Sequence, residues 1–435
     1  MKSILGKLRH SRYFKALALL ASGSLLGTLF TAVYQVVQTW IYTPDTIGVY
    51  NFLTAIPLMF VAVPALRYDI AVVVEKDERK ALALVKLSWY LTIFTSLLIT
   101  LVYGVYLWFF APEYRQYLYV LPFAFLIVFG YGVNNLLNAY SNRCADYKII
   151  SRKFVVRSMA QRLGMALSGA VLISLCKLHW LSVLAMIVPY SLGQFAGIRS
   201  QAKPLLVHRQ TLASITREEL WKAAKLHKKQ PLFSAPALFV NSFSYTSITL
   251  IMEKLFTTAT IAYYSVSSRV LAMPISLVSG NVAKVFIEES SKEYAKEGRY
   301  WKSFKKTFLF LMALAVPMFL CMYFLAPPVC GWLLGDGWET AGQYIQVMAL
   351  MFSFRLVGTS LSQVLVVCKK QWIELIVNIG LVCASLLSGF LTWYRQKDVL
   401  FFLQSLNLLR SVCYFLLILM VFLYSRKRST PEISQ

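Results

Sequence analysis

The chain has 435 residues, of which 58% are hydrophobic and only 14% are charged, and its formal net charge at pH 7 is +25. Soluble domains are usually about half apolar and about a quarter charged, so this excess of apolar side chains excludes a single water-soluble core. The positive charge would also suit nucleic-acid binding, but we expect no nucleic-acid partner, because basic loops on one side of a membrane explain the same charge.

Apolar stretches of about twenty residues or more recur along the whole chain, and each is long enough to cross a hydrocarbon layer of about 30 Å. They predict an all-α polytopic membrane protein with about twelve transmembrane helices. The predicted helices cover residues 15–41, 47–74, 81–110, 115–140, 153–175, 179–200, 231–256, 259–286, 303–325, 341–367, 372–393 and 398–424. The first follows a basic segment and is too long for the core of a signal peptide, so we predict that it is retained.

Lys and Arg residues are concentrated in every second loop and at the adjoining helix ends, and this set includes Arg157 near the start of the fifth helix. The loops on the opposite side carry only Arg115, Lys177, Lys254, Arg395 and Lys397. Because cytoplasmic loops carry the excess of basic residues, both termini are predicted to be cytoplasmic.

The longest polar stretch, 201–230, is predicted to be a cytoplasmic linker between two sets of six helices. It contains TREELWKAAKLHKK, which predicts a basic amphipathic helix at the membrane surface. We therefore predict an N-terminal lobe at 1–200, a C-terminal lobe at 231–425 and a cytoplasmic tail at 426–435.

Short related sequences begin the second and the eighth predicted helices: IGVY at 47–50 and IAYY at 261–264. Both follow a threonine-containing turn, and both helices have the same predicted orientation. This pattern indicates an internal repeat related by an axis along the membrane normal.

Six ionisable side chains are predicted to lie deep in the membrane, where ionisable groups are costly and often functional. They are Arg67, Asp69, Arg162, Arg269, Arg355 and Arg410. One carboxylate cannot neutralise five guanidinium groups, which keep their protons and match the oxygens of phosphate. The excess predicts an anion-binding site; the alternative is that individual arginines bond to carbonyls freed by proline kinks.

Arg67 and Asp69 are two residues apart in the second predicted helix, so they are expected to project from opposite sides and not to pair. Asp69 is predicted either to form a structural ion pair with an arginine from another helix or to take part in coupling to protons or sodium.

The sequence contains none of the motifs HExxH, GxSxG or the P-loop, and its seven cysteines form no CxxC pair. The four histidines are scattered along the chain. We therefore expect no metal, no cofactor and no catalytic residue, and we interpret the protein as a transporter and not an enzyme.

The segment IYTPDTIGVYNFLTAIPLMFVAVPALRYDIAVVVEKDERKALAL resembles the early signature of bacterial polysaccharide (Wzx-type, O-antigen) flippases of the MOP superfamily. The second half is similar to the same family in KKQPLFSAPALFVNSFS, in YYSVSSRVLAMPISLVSGNVAKVFIEESSKEY and in GDGWETAGQYIQVMALMFSFRLVGTSLSQVLVVCKKQ. Together these segments extend the likeness over most of residues 12–425. One departure is Asp69, where the family usually has glutamate.

The resemblance implies two six-helix lobes around a central cavity, working by alternating access in the bacterial inner membrane. It implies an undecaprenyl-diphosphate-linked oligosaccharide as substrate, an O-antigen or capsule or exopolysaccharide repeat unit. It assigns roles to Arg67 and Asp69, to Arg269 and to Arg355, whereas Arg162 and Arg410 depend on their predicted depth alone. Expected partners are the lipid-linked substrate and membrane lipids, with a polysaccharide polymerase and a chain-length regulator as further candidates.

Four alternative functions remain open at this stage, one of which is a nonenzymatic scaffold in glycan assembly. A multidrug exporter of the same superfamily would need carboxylates in its cavity, and the first predicted helix contains none. A membrane glycosyltransferase or polymerase would need catalytic residues and a large external loop. A peptidoglycan-precursor flippase commonly carries extra helices, so this chain is short for that relative.

Overall fold

The computed structural model describes residues 12–426 apart from residues 336, 369 and 371. In this described part the chain is helical and contains no β-strand. It forms two compact units, one ending at Ser242 and one beginning at Phe243. The linker predicted at 201–230 therefore packs with the first unit.

Between residues 12 and 242, the first unit contains ten helices and the start of an eleventh. They are α1 (Arg12–Ile41), α2 (Pro44–Met59), α3 (Tyr68–Val74), α4 (Glu78–Phe109), α5 (Leu121–Arg143), α6 (Tyr147–Gly169), α7 (Ser182–Gly193), α8 (Ile198–Val207), α9 (Arg209–Ser214) and α10 (Arg217–Leu226). Short 3₁₀ or π segments extend α5, α6, α7 and α11, at Pro112–Val120, Ala170–Leu175, His179–Leu181 and Gln230–Ser234.

In its described residues, the second unit contains most of α11 and six further helices. They are α11 (Ala235–Leu255), α12 (Thr258–Glu297), α13 (Trp301–Leu334), α14 (Glu339–Ser362), α15 (Val364–Val367), α16 (Trp372–Arg395) and α17 (Val399–Arg426).

Ten helical segments among the described residues are long and apolar enough to cross a membrane. A shorter apolar segment, Leu25–Ile41, belongs to α1, and the second predicted helix is divided between α2 and α3. The all-α polytopic architecture with about twelve crossings is thereby confirmed.

The second predicted helix is broken by irregular turns at 60–67, which include Pro64. Two side chains from neighbouring helices satisfy carbonyls in the break. The hydroxyl of Thr95 on α4 donates to the carbonyl of Pro64 at 2.6 Å, and Nδ2 of Asn135 on α5 donates to the carbonyl of Val61 at 2.9 Å. Backbone irregularity at membrane depth requires such partners, because lipid offers none.

The second and eighth predicted helices both begin after an N-cap threonine, although only Thr43 accepts a hydrogen bond from the helix backbone. α2 follows Thr43 and α12 follows Thr257, both in extended conformation. The hydroxyl of each lies 3.0 Å from that of the threonine three residues later, Thr46 in one half and Thr260 in the other. The matching caps support the repeat indicated by the sequence.

α12 extends well beyond its predicted end at residue 286 and finishes at Glu297. Its charged end continues the helix because charged side chains are good helix formers and pair at i,i+4 spacing, as Lys292 does with Glu288 at 2.5 Å. Gly298 terminates the helix in the left-handed region, with φ of 67°.

α10 lies within the linker, and the helix predicted there is confirmed. Thr216 and Glu219 form a capping box at its start. Glu219 also binds Arg79 of α4, with Nε 2.6 Å from Oε1. The Glu219 carboxylate therefore caps α10 and also holds this helix against the beginning of α4.

Lys86 on α4 holds the linker segment that precedes α10. Its ammonium donates to the carbonyls of Leu212 and Ile215, each at 2.9 Å. The hydroxyl of Tyr68 on α3 donates to the carbonyl of Ala224 on α10 at 3.2 Å. These contacts fix the linker against α3 and α4.

The attachment of α10 is expected to weaken at low pH because it uses the carboxylate of Glu219. The hydrogen bond from Arg79 lowers the pKa of Glu219 to about 2, well below its usual value. A depressed pKa means that the contribution of this ion pair to the attachment is complete above about pH 4.5 and is lost as the pH falls through about 2. Amide exchange over 209–226, followed as a function of pH, should show this release.

The matched control for this prediction is Glu218, which pairs with Lys222 on α10 itself at 2.7 Å. At neutral pH, Glu219→Gln should increase exchange in α10, whereas Glu218→Gln should not. Equal exchange in the two variants would show that the Arg79 contact does not hold the helix.

Candidate anion-binding site

Arg67 lies immediately before α3, in the break of the second predicted helix. Its backbone and that of Leu66 are left-handed, with φ of 65° and 48°. Such conformations cost about 1–3 kcal/mol at residues other than glycine and are concentrated at functional sites. Nε of Arg67 is buried and has no hydrogen-bond acceptor among the described residues. The break therefore holds a guanidinium with an unused donor.

The prediction that Arg67 and Asp69 do not pair is wrong. Nη1 of Arg67 lies 4.0 Å from Oδ2 of Asp69. The prediction assumed one continuous helix, but Arg67 precedes α3 and its left-handed backbone turns the side chain towards the first turn of that helix. The ion pair of Asp69 is thus with its near neighbour and not with an arginine from another helix.

Arg162 belongs to a group of aromatic and basic residues in the first unit. The hydroxyls of Tyr131 on α5 and Tyr190 on α7 lie 3.0 Å apart. The guanidinium carbon of Arg157 lies 5.5 Å from the ring centre of Tyr131. That of Arg162 lies 5.4 Å from the ring of Tyr34 and 5.9 Å from the ring of Tyr190. These are cation–π distances, and we call the five residues the first Arg–Tyr cluster.

The second unit contains a similar group. The hydroxyls of Tyr245 on α11 and Tyr414 on α17 lie 3.0 Å apart. The guanidinium carbon of Arg355 lies 4.4 Å from the ring centre of Tyr245 and 5.4 Å from that of Phe352, and the guanidinium carbon of Arg410 lies 5.4 Å from Tyr245. We call these five residues the second Arg–Tyr cluster.

Arg162 and Arg355 each retain a donor that is not used. The Nε of each is buried and has no hydrogen-bond acceptor among the described residues, although both side chains are only half-buried as a whole. Aromatic faces stabilise the positive charge but do not accept these N–H groups in the way that oxygen does. Both clusters are therefore suited to an oxyanion.

Arg410 differs from the other arginines because it is almost completely enclosed, with 1% exposure. It donates to the hydroxyl of Ser385 at 3.2 and 3.0 Å, to the carbonyl of Leu381 at 3.4 Å and to the carbonyl of Ser244. These bonds join α11, α16 and α17. An enclosed side chain whose Nε and Nη2 groups donate to oxygens of two other helices is typical of one that holds helices together.

Arg269 lies half-buried on α12 and interacts with a neighbouring group. It belongs to the second unit, as do Arg355 and Arg410, whereas Arg67 and Arg162 belong to the first. Within the first unit, the structure places Arg67 at the helix break and Arg162 in the cluster with Tyr34 and Tyr190.

The sequence did not single out Arg157 or the tyrosines of the two clusters. Arg157 was counted only among the basic residues of the cytoplasmic side, but on α6 it contacts Tyr131 and Phe154. Tyrosines in apolar helices look like packing residues, and their hydroxyl pairs join residues far apart in the chain. No group of three His, Cys, Asp or Glu side chains within the described residues is placed to hold a metal ion.

Solved structures with the same fold span nearly the whole chain. The lipid II flippase MurJ, in an inward closed conformation, aligns with a TM-score of 0.67 at 12% identity and covers 95% of this chain and 88% of its own. An inward-facing multidrug resistance MATE family transporter of the MOP superfamily aligns at 0.60 and 14% identity, over 94% and 92%. A MOP superfamily transporter from Pyrococcus furiosus aligns at 0.59 and 14% identity, over 95% of both chains.

The membrane-spanning helices and the alignments therefore define a multi-pass membrane protein with the fold seen in transporters of the MOP superfamily. The family described as Polysaccharide biosynthesis protein (Polysacc_synt_3) matches residues 41–343, well over half of the chain. The chain belongs to this polysaccharide biosynthesis family, so the resemblance found in the sequence is confirmed. The curated proteins contain no match to the sequence.

Proposed function

We propose that this protein is a flippase that moves an undecaprenyl-diphosphate-linked oligosaccharide from the cytoplasmic to the outer face of the bacterial inner membrane. The observation that carries the proposal is the pair of buried Arg–Tyr clusters, whose Arg162 and Arg355 retain donors without acceptors. A diphosphate supplies oxygen acceptors and negative charge to such groups. Membership of the polysaccharide biosynthesis family supports a glycan attached to that diphosphate.

The arginines have different roles in this proposal. Arg67, at the break between α2 and α3, receives the diphosphate from the side predicted to be cytoplasmic. Arg269 and Arg355 hold it at mid-depth in the second unit, and Arg162 provides the corresponding charge in the first. Alternating access then exposes these groups to each side in turn. Arg410 positions α11, α16 and α17 and does not contact the substrate.

Asp69 has a structural role in this proposal. Its ion pair with Arg67 orients the guanidinium, and the 4.0 Å separation is long enough for a phosphate oxygen to compete for the same N–H groups. The alternative is coupling to protons or sodium, since Asp69 is buried and ionisable.

The arginine-rich clusters favour an anionic substrate over the cations expelled by multidrug exporters. One structural neighbour, the transporter from Pyrococcus furiosus, is described as having a binding pocket of reverse polarity that suggests a different function. Another is a lipid II flippase. The second description supports a lipid-linked cargo for this fold. A polymerase and a chain-length regulator remain candidate partners.

The experiment that tests the function uses the full-length protein in proteoliposomes. A fluorescent undecaprenyl-diphosphate oligosaccharide is incorporated, and its exposure to a membrane-impermeant quencher is followed over time. We expect the protein to accelerate exchange between leaflets for this lipid and not for the same lipid without the diphosphate. Unchanged exchange, or equal acceleration of an uncharged polyprenol, would contradict the proposal.

A further inference from the structure

An open groove of about 690 Å³ lies between α10 and the helices α3 and α4 of the first unit. Its walls are mainly apolar and include Leu87 and Leu91 of α4 and Leu220 and Trp221 of α10. This volume is in the range of about 300–1,000 Å³ that holds small ligands. The lining indicates a ligand with a hydrocarbon part.

The groove continues into the surface of α4 that faces the bilayer. Leu91 lines the groove, and the residues that follow it at helical spacing, Phe94, Leu98 and Leu101, are exposed. An exposed apolar stripe on a membrane-spanning helix contacts lipid chains. A lipid chain can therefore run along α4 from the bilayer into the groove.

The rim of the groove carries positive charge. On α10 the carboxylate of Glu219 is bound by Arg79, and that of Glu218 is bound by Lys222. Arg217 lies at the rim and is exposed, and Lys225 lies 5.6 Å from the ring centre of Trp221. Both acidic side chains are thus paired with basic side chains, which leaves Arg217 and Lys225 available to bind a phosphate.

We expect Trp221 of α10 to lie at the boundary between the lipid headgroups and the hydrocarbon. It is 64% exposed although it also lines the groove. Tryptophan favours the boundary between headgroups and hydrocarbon, because its ring is apolar and its N–H is polar. A headgroup at the level of Trp221 would lie beside Lys225.

We propose that this groove binds an anionic phospholipid of the leaflet that contacts α10, with an acyl chain between α4 and α10 and the phosphate at Arg217 and Lys225. The bound lipid fills the groove between α10 and the helices α3 and α4, and it stabilises the packing of the linker against the first unit. The groove residues are separate from the Arg–Tyr clusters, but Leu66 and Tyr68 of its lining flank Arg67. The test therefore includes the substrate lipid as a competitor.

The test is native mass spectrometry of the full-length protein released from detergent after incubation with phosphatidylglycerol or phosphatidylcholine. We expect retention of one phosphatidylglycerol and at least fivefold less phosphatidylcholine. Arg217→Gln should reduce the retained phosphatidylglycerol about fivefold, since one basic residue near an anionic lipid contributes about 1 kcal/mol. Arg152→Gln is the matched control, because Arg152 is also exposed but lies outside the groove.

A second variant tests the groove itself. Ala224→Trp should fill the space and displace the lipid, while thermal unfolding and elution from a sizing column report whether the variant is folded. If it is not folded, Arg217→Gln combined with Lys225→Gln decides the question. Equal retention in these variants and in the Arg152→Gln control would overturn the proposal. So would displacement of phosphatidylglycerol from the groove by undecaprenyl diphosphate at equal concentration, which would assign the groove to the substrate lipid.

Discussion

Arg355→Ala is expected to reduce glycan export at least tenfold while the protein still accumulates in the membrane. Arg355 retains a buried Nε without an acceptor and stacks on Tyr245 with a separation of 4.4 Å. A hydrogen bond to a charged group contributes about 1.5–3 kcal/mol, equivalent to about 10- to 150-fold in rate or affinity. Restoration of surface glycan in a strain lacking its flippase measures this loss.

Two further variants separate the possible causes of that loss. Arg355→Lys keeps the charge but removes the planar guanidinium fork, so it should recover part of the export if charge alone suffices and little if two-point binding of phosphate is required. Arg395→Ala removes an exposed arginine at the end of α16 and should leave export unchanged. Normal export by Arg355→Ala would remove the second Arg–Tyr cluster from the transport path.

Arg410→Ala is expected to damage folding itself. The side chain is 1% exposed, and its bonds to Ser385 and to the carbonyls of Leu381 and Ser244 join three helices. Truncation leaves a cavity and removes these bonds, and large-to-alanine changes in a packed core cost about 2–5 kcal/mol. We expect a lower unfolding temperature in detergent and reduced accumulation in the membrane.

Arg410→Met provides the informative comparison, because methionine fills much of the volume without donating hydrogen bonds. It should unfold at a temperature between those of the wild type and Arg410→Ala. If Arg410→Ala is as stable as the wild type but does not export glycan, Arg410 contacts the substrate, as its predicted depth suggested, and the positioning role is wrong.

Glycan export and accumulation in the membrane, measured for both Arg355→Ala and Arg410→Ala, distinguish a binding side chain from a structural one. Both residues lie near the middle of apolar helices, and both were candidates on the sequence for the same reason. Only their neighbours differ. Arg355 faces rings and keeps a donor unused, whereas Arg410 is surrounded by oxygen acceptors.

The sequence by itself determined the membrane class, the helical architecture and the family. These features depend on local properties: a hydrocarbon layer demands apolar stretches of a fixed length, and each can be read without knowing its neighbours. The excess of arginine over acidic residues inside the predicted helices could also be found from the sequence, because it requires only counting residues along the chain. The threonine caps of α2 and α12 could be located from their short related sequences.

The partner of each buried charge was decided only by the tertiary structure. Arg67 pairs with Asp69 because the helix between them is broken and its backbone is left-handed, whereas helical spacing predicted that they would point apart. Tyr245 meets Tyr414 through packing of α11 against α17, which no local pattern records. Side-chain neighbours across helices depend on how the helices pack, so the proposed division of the arginines into binding and structural groups required the fold.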